Sequence, residues 1–283
     1  MIDKGHGPLV ILIPGIQGRW EWMMPTIDAL AVSHRVMSFS LGEMPDGGDW
    51  FSAWNRTIDG LIDRAKERRA VIVGVSFGGV IAARYAACKP DRVRALVLAS
   101  TPPPTWRPDG RQRVYLRNPR LTLPLFALRG VTRLGPEIFV ARPSWPLRIK
   151  LAWQYTGRVM RARISPPAMA SWIQTWLSTN IEPECASIKA PTLVVTGEPH
   201  LDRVVPVAAS REYLRLIPDA RYAVLPDTGH VGVITKPFRF AEIVGRFLAK
   251  VEEEAAVRAA AEHAANVARW ATGTSGRTSP HAP

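Results

Sequence analysis

The sequence predicts an α/β fold built on a mostly parallel sheet, and three observations support this class. Short apolar runs alternate with segments of helical periodicity over most of the chain. The length of 283 residues and the apolar content of 47% suffice for one large domain with a sizeable core. No apolar run reaches the ~18 residues that a membrane-spanning helix needs, so a transmembrane protein is excluded.

Six strands are predicted, each bounded by turns or helical segments. They cover residues 9–13, 35–39, 70–75, 93–99, 192–196 and 222–225. Helices are predicted between them, at about 20–31, 50–67, 77–88 and 207–216, and a closing helix runs from 236 to about 270. Strands that are apolar throughout and separated by helices pair in parallel, with helices covering both faces of the sheet.

The alternation breaks between the fourth and fifth strands, at 102–180. Nine prolines precede Arg148 in this segment, which predicts irregular structure there, whereas 147–163 and 167–179 have helical patterns. We therefore divide the chain into a core of 1–101 and 181–270 and an inserted segment of 102–180. The tail, 271–283, is rich in Gly, Thr, Ser and Pro and is expected to be disordered.

The positive charge is concentrated in the inserted segment. Residues 102–180 contain 13 basic residues and two acidic ones, which accounts for most of the net charge of +13. This distribution has three possible explanations. It would fit an anionic substrate, peripheral contact with an anionic membrane surface, or a solvated face produced by arginine-rich coding. No recognised nucleic-acid module accompanies the charge, so no nucleic-acid partner is expected.

The cysteine content and the N-terminus indicate the compartment. Cys88 and Cys185 form no disulfide framework, and no secretory signal pattern is recognisable at the N-terminus. A reduced, cytoplasmic protein is therefore expected.

A candidate nucleophile lies at the end of the third strand. The chain reads Gly74-Val75-Ser76-Phe77-Gly78-Gly79 and continues into a helix, which is a G-x-S-x-G motif in a strand-turn-helix context. A serine at such a sharp turn takes a strained backbone conformation. Its neighbours two residues away then lack room for a Cβ, which explains the glycines. The helix that follows favours negative charge near Ser76.

A serine nucleophile needs a base, and the base needs an orienting acid. His230 follows the sixth strand and faces the same sheet edge as Ser76, whereas His263 lies in the closing helix and His281 in the tail. The loop after the fifth strand supplies Asp202 as the preferred acid, with Glu198 as the alternative. The chain order Ser76, Asp202, His230 fits the order expected for this arrangement.

Acyl transfer also requires two backbone N–H donors for the oxyanion. Phe77, directly after the nucleophile, is one candidate. The loop after the first strand supplies the other, either Ile16 or Gln17, with Ile16 preferred, because Pro14 has no N–H.

On these motifs the chain resembles the serine-nucleophile, capped members of the α/β-hydrolase superfamily, over about 8–101 and 185–250. The resemblance implies roles for Ser76, Asp202 and His230 as nucleophile, acid and base, and it makes 102–180 a helical cap. No N-terminal hairpin precedes the first strand, which is a departure from the family, so six parallel strands in the order 2-1-3-4-5-6 are expected. The sequence departs from the family in having Pro14-Gly15 where His-Gly is usual, and in placing Asp202 five residues after Gly197 where three is common.

The function predicted from these residues is hydrolysis of a carboxylic ester or lactone of a small to medium apolar acyl group, through an acyl-enzyme, with no cofactor and no metal. Its partner would be a small-molecule ester. Acyl transfer, cofactor-free oxygenase or perhydrolase chemistry, and non-catalytic ligand binding remain alternatives, because the fold alone does not fix the reaction.

Overall fold

A parallel sheet lies at the centre of the computed structural model, which describes residues 1–42, 49–141 and 144–274. Within this part of the chain, one sheet of seven strands is formed. The strands are β1 Ile2–Lys4, β2 Leu9–Ile13, β3 Arg35–Ser38, β4 Ala70–Val75, β5 Val93–Ala99, β6 Thr192–Thr196 and β7 Ala220–Val224. β2 and β4 are buried along their whole length, as expected for strands covered on both faces.

The strand order is β1-β3-β2-β4-β5-β6-β7, with β1 antiparallel to β3 and every other pair parallel. The six predicted parallel strands and their order 2-1-3-4-5-6 are therefore present as β2 to β7. The predicted count of six strands was wrong, because β1 adds a seventh at the edge, where it pairs with β3. An ion pair of 2.7 Å between Asp3 and Arg35 links β1 to β3.

Helices cover the sheet and fill the inserted segment. Those of the core before the insertion are α1 Met24–Leu30, α2 Trp50–Arg64 and α3 Phe77–Cys88, with 3-10 turns at Trp20–Met23 and Pro90–Arg92. The insertion contains α4 Gly110–Arg117, α5 Leu123–Ala141, α6 Trp145–Arg161 and α7 Pro166–Ser178. Single turns follow at α8 Glu182–Cys185, α9 Val207–Ser210, α10 Tyr213–Leu216 and α11 Gly232–Thr235, and the last helix is α12 Pro237–Thr274.

The first part of the insertion is irregular over 102–109, as predicted, but helical from Gly110 onward, contrary to the prediction. The prolines lie mostly where helices tolerate them: Pro119 falls between α4 and α5, and Pro124 and Pro146 fall in first turns. Among the described residues of the insertion, Pro136 is the proline that lies in a helix interior, in α5. The two later helices, α6 and α7, match the predicted ones closely.

The chain forms two compact units, residues 1–244 and a second unit from Gly245 onward. α12 begins in the first unit and continues to Thr274, four residues into the predicted tail, so 271–274 are helical rather than disordered. The rest of the predicted tail, from 275, lies outside the described residues.

Candidate active site

Ser76 occupies a strained turn between β4 and α3. Its backbone dihedrals are φ 52° and ψ −121°, a conformation that few residues with a side chain adopt. The Ser76 N–H donates to the Ala99 carbonyl at 2.8 Å, and the Ser76 carbonyl accepts from the Gly79 N–H at 2.9 Å. These bonds hold the turn at the carboxyl edge of the sheet, with the side chain directed away from β4.

The glycines of the motif are required by close packing. The atoms that leave no room for a Cβ belong to neighbouring backbone rather than to Ser76. A Cβ on Gly74 would lie 2.4 Å from the Gly78 carbonyl oxygen, and one on Gly78 would lie 2.4 Å from the carbonyl oxygens of Ile13 and Pro14. The turn is therefore pressed against the end of β2. Larger residues at these positions would push Ser76 away from the first loop.

The structure brings Ser76, His230 and Asp202 together. His230 Nε2 lies 3.0 Å from Ser76 Oγ, and His230 Nδ1 lies 3.4 Å from Asp202 Oδ2. The His230 side chain is 12% exposed and that of Asp202 is 1% exposed, so the pair is largely shielded from water. An imidazole at this distance from a hydroxyl can accept its proton.

Asp202 is held by its own loop. Its Oδ1 accepts from the N–H groups of Val204 and Val205 at 3.0 and 2.9 Å, which leaves Oδ2 facing His230. The alternative acid, Glu198, faces elsewhere: its Oε1 accepts from the Asp227 N–H at 2.9 Å, and its Oε2 lies 3.5 Å from His200 Nδ1. Between the two candidates, the geometry favours Asp202.

The candidate oxyanion donors lie around Ser76. Phe77 is the first residue of α3, so its N–H belongs to the helix N-terminal donors that have no partner within the helix. The first loop forms a turn in which the Gly18 N–H donates to the Gly15 carbonyl at 2.8 Å. Ile16 and Gln17 in this turn both line the cavity above Ser76, so the choice between them stays open.

A cavity of about 380 Å³ opens above Ser76 and His230. Its walls are mainly apolar, and the cap supplies many of them, including Trp106, Leu116, Leu134, Met169, Ile173 and Trp176. Polar side chains are fewer; Gln17 comes from the core, and Gln112 and Arg133 come from the cap. The volume and lining suit a small to medium apolar ligand with a few polar groups.

Aromatic side chains join the cap to the core. Trp172 and Trp176 of α7 are buried; Trp172 packs edge-on against Trp50 with ring centroids 5.9 Å apart, and the Trp176 ring lies 6.0 Å from that of Phe77. Within the cap, Trp176 also stacks on Trp106 at 5.0 Å. Trp176 also lines the cavity, whereas Trp172 does not contribute to its lining. Trp172 therefore packs the cap against the core, whereas Trp176 does this and also lines the cavity.

Sequence reasoning missed Glu137. This residue of α5 is fully buried, and both of its carboxylate oxygens accept from the Val231 N–H, at 2.9 and 3.1 Å. Burial raises the pKa of the Glu137 carboxyl, while hydrogen bonds from the N–H groups of Val231 and Gly229 oppose this rise. In the sequence Glu137 was only one of two acids in a basic segment, and no local pattern linked it to the loop of His230.

Comparison with known proteins agrees with the fold. The family model described as the alpha/beta hydrolase fold matches residues 8–237. The chain therefore belongs to the α/β-hydrolase family, in which a triad, an oxyanion hole and a cap are typical.

Two relatives and one solved structure illustrate the range of the family. The chain is 29% identical over 265 residues to 2-hydroxymuconate semialdehyde hydrolase of Pseudomonas putida, covering 88% of this chain and 90% of the relative. It is 25% identical to poly(3-hydroxyalkanoate) depolymerase of Ectopseudomonas oleovorans, covering 89% and 88%. The enol-lactonase from Burkholderia xenovorans LB400 superposes with a TM-score of 0.68 at 23% identity, covering 88% of this chain and 95% of that one. These three proteins are hydrolases, which supports a hydrolase here.

The described residues contain neither a membrane-spanning helix nor a group of metal-binding side chains. No helix among them combines the length and the apolar character needed to cross a bilayer. Within the same residues, no three His, Cys, Asp or Glu side chains are grouped so that they could hold a metal ion.

Proposed function

We propose that this chain is a serine hydrolase that cleaves a carboxylic ester or lactone with a small to medium apolar acyl group. The observation that carries the proposal is the 3.0 Å contact between Ser76 Oγ and His230 Nε2 at the base of an apolar cavity of about 380 Å³. A relative named as a poly(3-hydroxyalkanoate) depolymerase is consistent with ester chemistry on this scaffold.

In the first half-reaction, Ser76 Oγ attacks the ester carbonyl carbon while His230 Nε2 takes the serine proton. Asp202 orients the imidazole through Nδ1 and stabilises the imidazolium. The carbonyl oxygen becomes an oxyanion, which the N–H group of Phe77 stabilises together with that of Ile16 or Gln17. When the carbon–oxygen bond breaks, His230 returns the proton to the leaving alcohol, and the acyl group stays on Ser76.

In the second half-reaction, a water molecule gives its proton to His230 and attacks the acyl-enzyme. Collapse of the second oxyanion breaks the bond to Ser76 Oγ, which recovers its proton from His230, and the carboxylic acid leaves. If an alcohol or thiol replaced this water, the same residues would perform acyl transfer.

The cap's outer face suggests where the enzyme works. Leu125, Leu128 and Phe139 of α5 are exposed on the side opposite the cavity-lining Leu134. Trp145 and Trp153 of α6 are 66% and 81% exposed. Exposed tryptophan and leucine beside an excess of arginine suit peripheral contact with an anionic bilayer, whereas pairing with a second copy would set two basic segments against each other.

The cysteines support a reducing location. Cys88 is exposed, Cys185 is buried, and both are free thiols. We place the enzyme in the cytoplasm on this basis.

The test uses p-nitrophenyl esters graded by acyl length, with lactones beside them, and a fluorophosphonate probe. Ester turnover and labelling of Ser76 are expected. Ser76→Ala should remove turnover by a factor on the order of 10⁶, because the three residues act as a unit. Ser187→Ala, at an exposed serine outside the cavity, is the matched control.

Activity of Ser76→Ala at the wild-type level, or labelling at another serine, would contradict the proposal. Faster turnover when alcohols are added, with ester rather than acid as product, would assign acyl transfer instead. Saturable ligand binding with neither labelling nor turnover would assign a binding function.

A further inference from the structure

Glu137 connects the cap to the loop that carries His230. Its carboxylate accepts from the Val231 N–H at 2.9 and 3.1 Å. The Gly229 N–H is near enough to lower the pKa of the same carboxyl. Gly229 and Val231 are the immediate neighbours of His230, so a side chain 94 residues away from Val231, in another element, holds the backbone directly after the imidazole.

This arrangement goes beyond what packing requires. Leu134 and Glu137 both lie on the inner side of α5, and an apolar residue would suffice to fill the space at 137. Burying a carboxylate is unfavourable unless hydrogen bonds compensate it. The partners that compensate it here are backbone N–H groups of the His230 loop, so the carboxylate and the loop specify each other's position.

We propose that Glu137 is a positioning residue that holds His230 within reach of Ser76. The distance between His230 and Ser76 then depends on the position of the cap over the sheet. The proposal rests on the serine-hydrolase function proposed above.

The contacts of His230 explain why its loop needs a second support. The Nδ1 contact with Asp202 is long, at 3.4 Å, whereas the Nε2 contact with Ser76 is 3.0 Å. A small shift of the loop would lengthen both, and a misplacement of about 1 Å at a catalytic group can cost roughly 10²-fold in rate.

The same helix also meets the ligand. Arg133 and Leu134 line the cavity one turn before Glu137. The helix that carries the positioning carboxylate is therefore also a wall of the ligand cavity.

The experiment compares three variants of the full-length enzyme. Glu137→Gln keeps the length and one acceptor oxygen, so kcat should fall about fivefold, the effect of roughly one hydrogen bond. Glu137→Asp keeps the charge but is one methylene too short to reach the loop, so kcat should fall about 10²-fold. Glu137→Ala should lose at least as much as Glu137→Asp, while KM for a neutral ester stays within about twofold in all three.

Asp109→Asn is the matched control, because Asp109 is the other acid of the cap and contributes to α4 capping rather than to the His230 loop. It should retain the wild-type kcat and fluorophosphonate labelling rate. Loss of labelling should follow kcat in the Glu137 series, because labelling also requires an aligned His230.

Hydrogen exchange at the Val231 amide provides a readout that needs no turnover. It should accelerate at least tenfold in Glu137→Asp and Glu137→Ala, relative to Asp109→Asn. If the wild type neither labels nor turns over, the proposed function fails, and this amide still reports whether the carboxylate holds the loop. An unchanged exchange rate at the Val231 amide overturns the inference. It is also overturned if folded Glu137→Asp keeps the wild-type kcat while Glu137→Gln is impaired, because the charge of residue 137 alone would then matter.

Discussion

Asp202 and Glu198 differ in what their carboxylates touch, and this difference gives a matched pair of substitutions. Asp202→Asn should lower kcat by about 10⁴-fold, because the amide can donate to Nδ1 and stabilise the wrong tautomer. Glu198→Gln should change kcat less than threefold, because its contacts are with the Asp227 N–H and His200. Steady-state kinetics on one p-nitrophenyl ester decide the point, and a damaging Glu198→Gln beside a silent Asp202→Asn would show that the other carboxylate orients His230.

Glu137 also makes stability depend on pH. Burial raises the pKa of its carboxyl above the ordinary value of 4.5, so the unfolded chain ionises at lower pH than the native one. The native state then loses stability as the pH rises from about 4.5 through the native pKa, and a glutamine has no such loss. The Tm of Glu137→Gln minus the Tm of the wild type should therefore increase as the pH is raised from about 4 to about 7. Calorimetry at matched ionic strength measures this difference. A difference in Tm that stays constant across this range would contradict the assignment.

At the scale of elements, the outer face of the cap yields a binding prediction. The wild type should co-sediment with vesicles rich in phosphatidylglycerol and much less with pure phosphatidylcholine, and the binding should weaken as salt is raised. Replacing Trp145 and Trp153 together by serine should weaken it at least tenfold. Phe238→Ser is the control, because Phe238 is 68% exposed and lies outside the cap.

Equal binding to both vesicle types would remove the role of the arginines. A dimer in solution that the tryptophan substitutions dissociate would assign the face to self-association instead.

The elements also differ in how far the sequence predicted them. β2 to β7 were predicted because long apolar runs between helices have few other solutions, and this order was confirmed. β1 was missed because Ile2–Lys4 has one apolar residue and is held by backbone pairing and the ion pair from Asp3 to Arg35. The helices α4 and α5 were missed because proline counts alone do not reveal which prolines fall in first turns.

At the scale of the whole molecule, the site residues fall into two groups. Some could be predicted from local motifs, and others come together only through the tertiary structure. Ser76, Asp202 and His230 each follow a strand, so the topology of a parallel sheet predicts their meeting. Glu137 meets the His230 loop only through the way the cap folds back over the sheet, and no spacing in the chain encodes that path. The residues that line the cavity could not be predicted for the same reason. The cap segment that supplies many of them, 102–180, was predicted.

The stack of Trp106 on Trp176 has an optical consequence. Their rings are 5.0 Å apart and inclined by 9°, close enough for the two indoles to share excitation. Both face the cavity, so a ligand that enters will change the polarity around this pair and shift its emission. The protein therefore carries an intrinsic chromophore that reports occupancy of the cavity in stopped-flow experiments, with no added label.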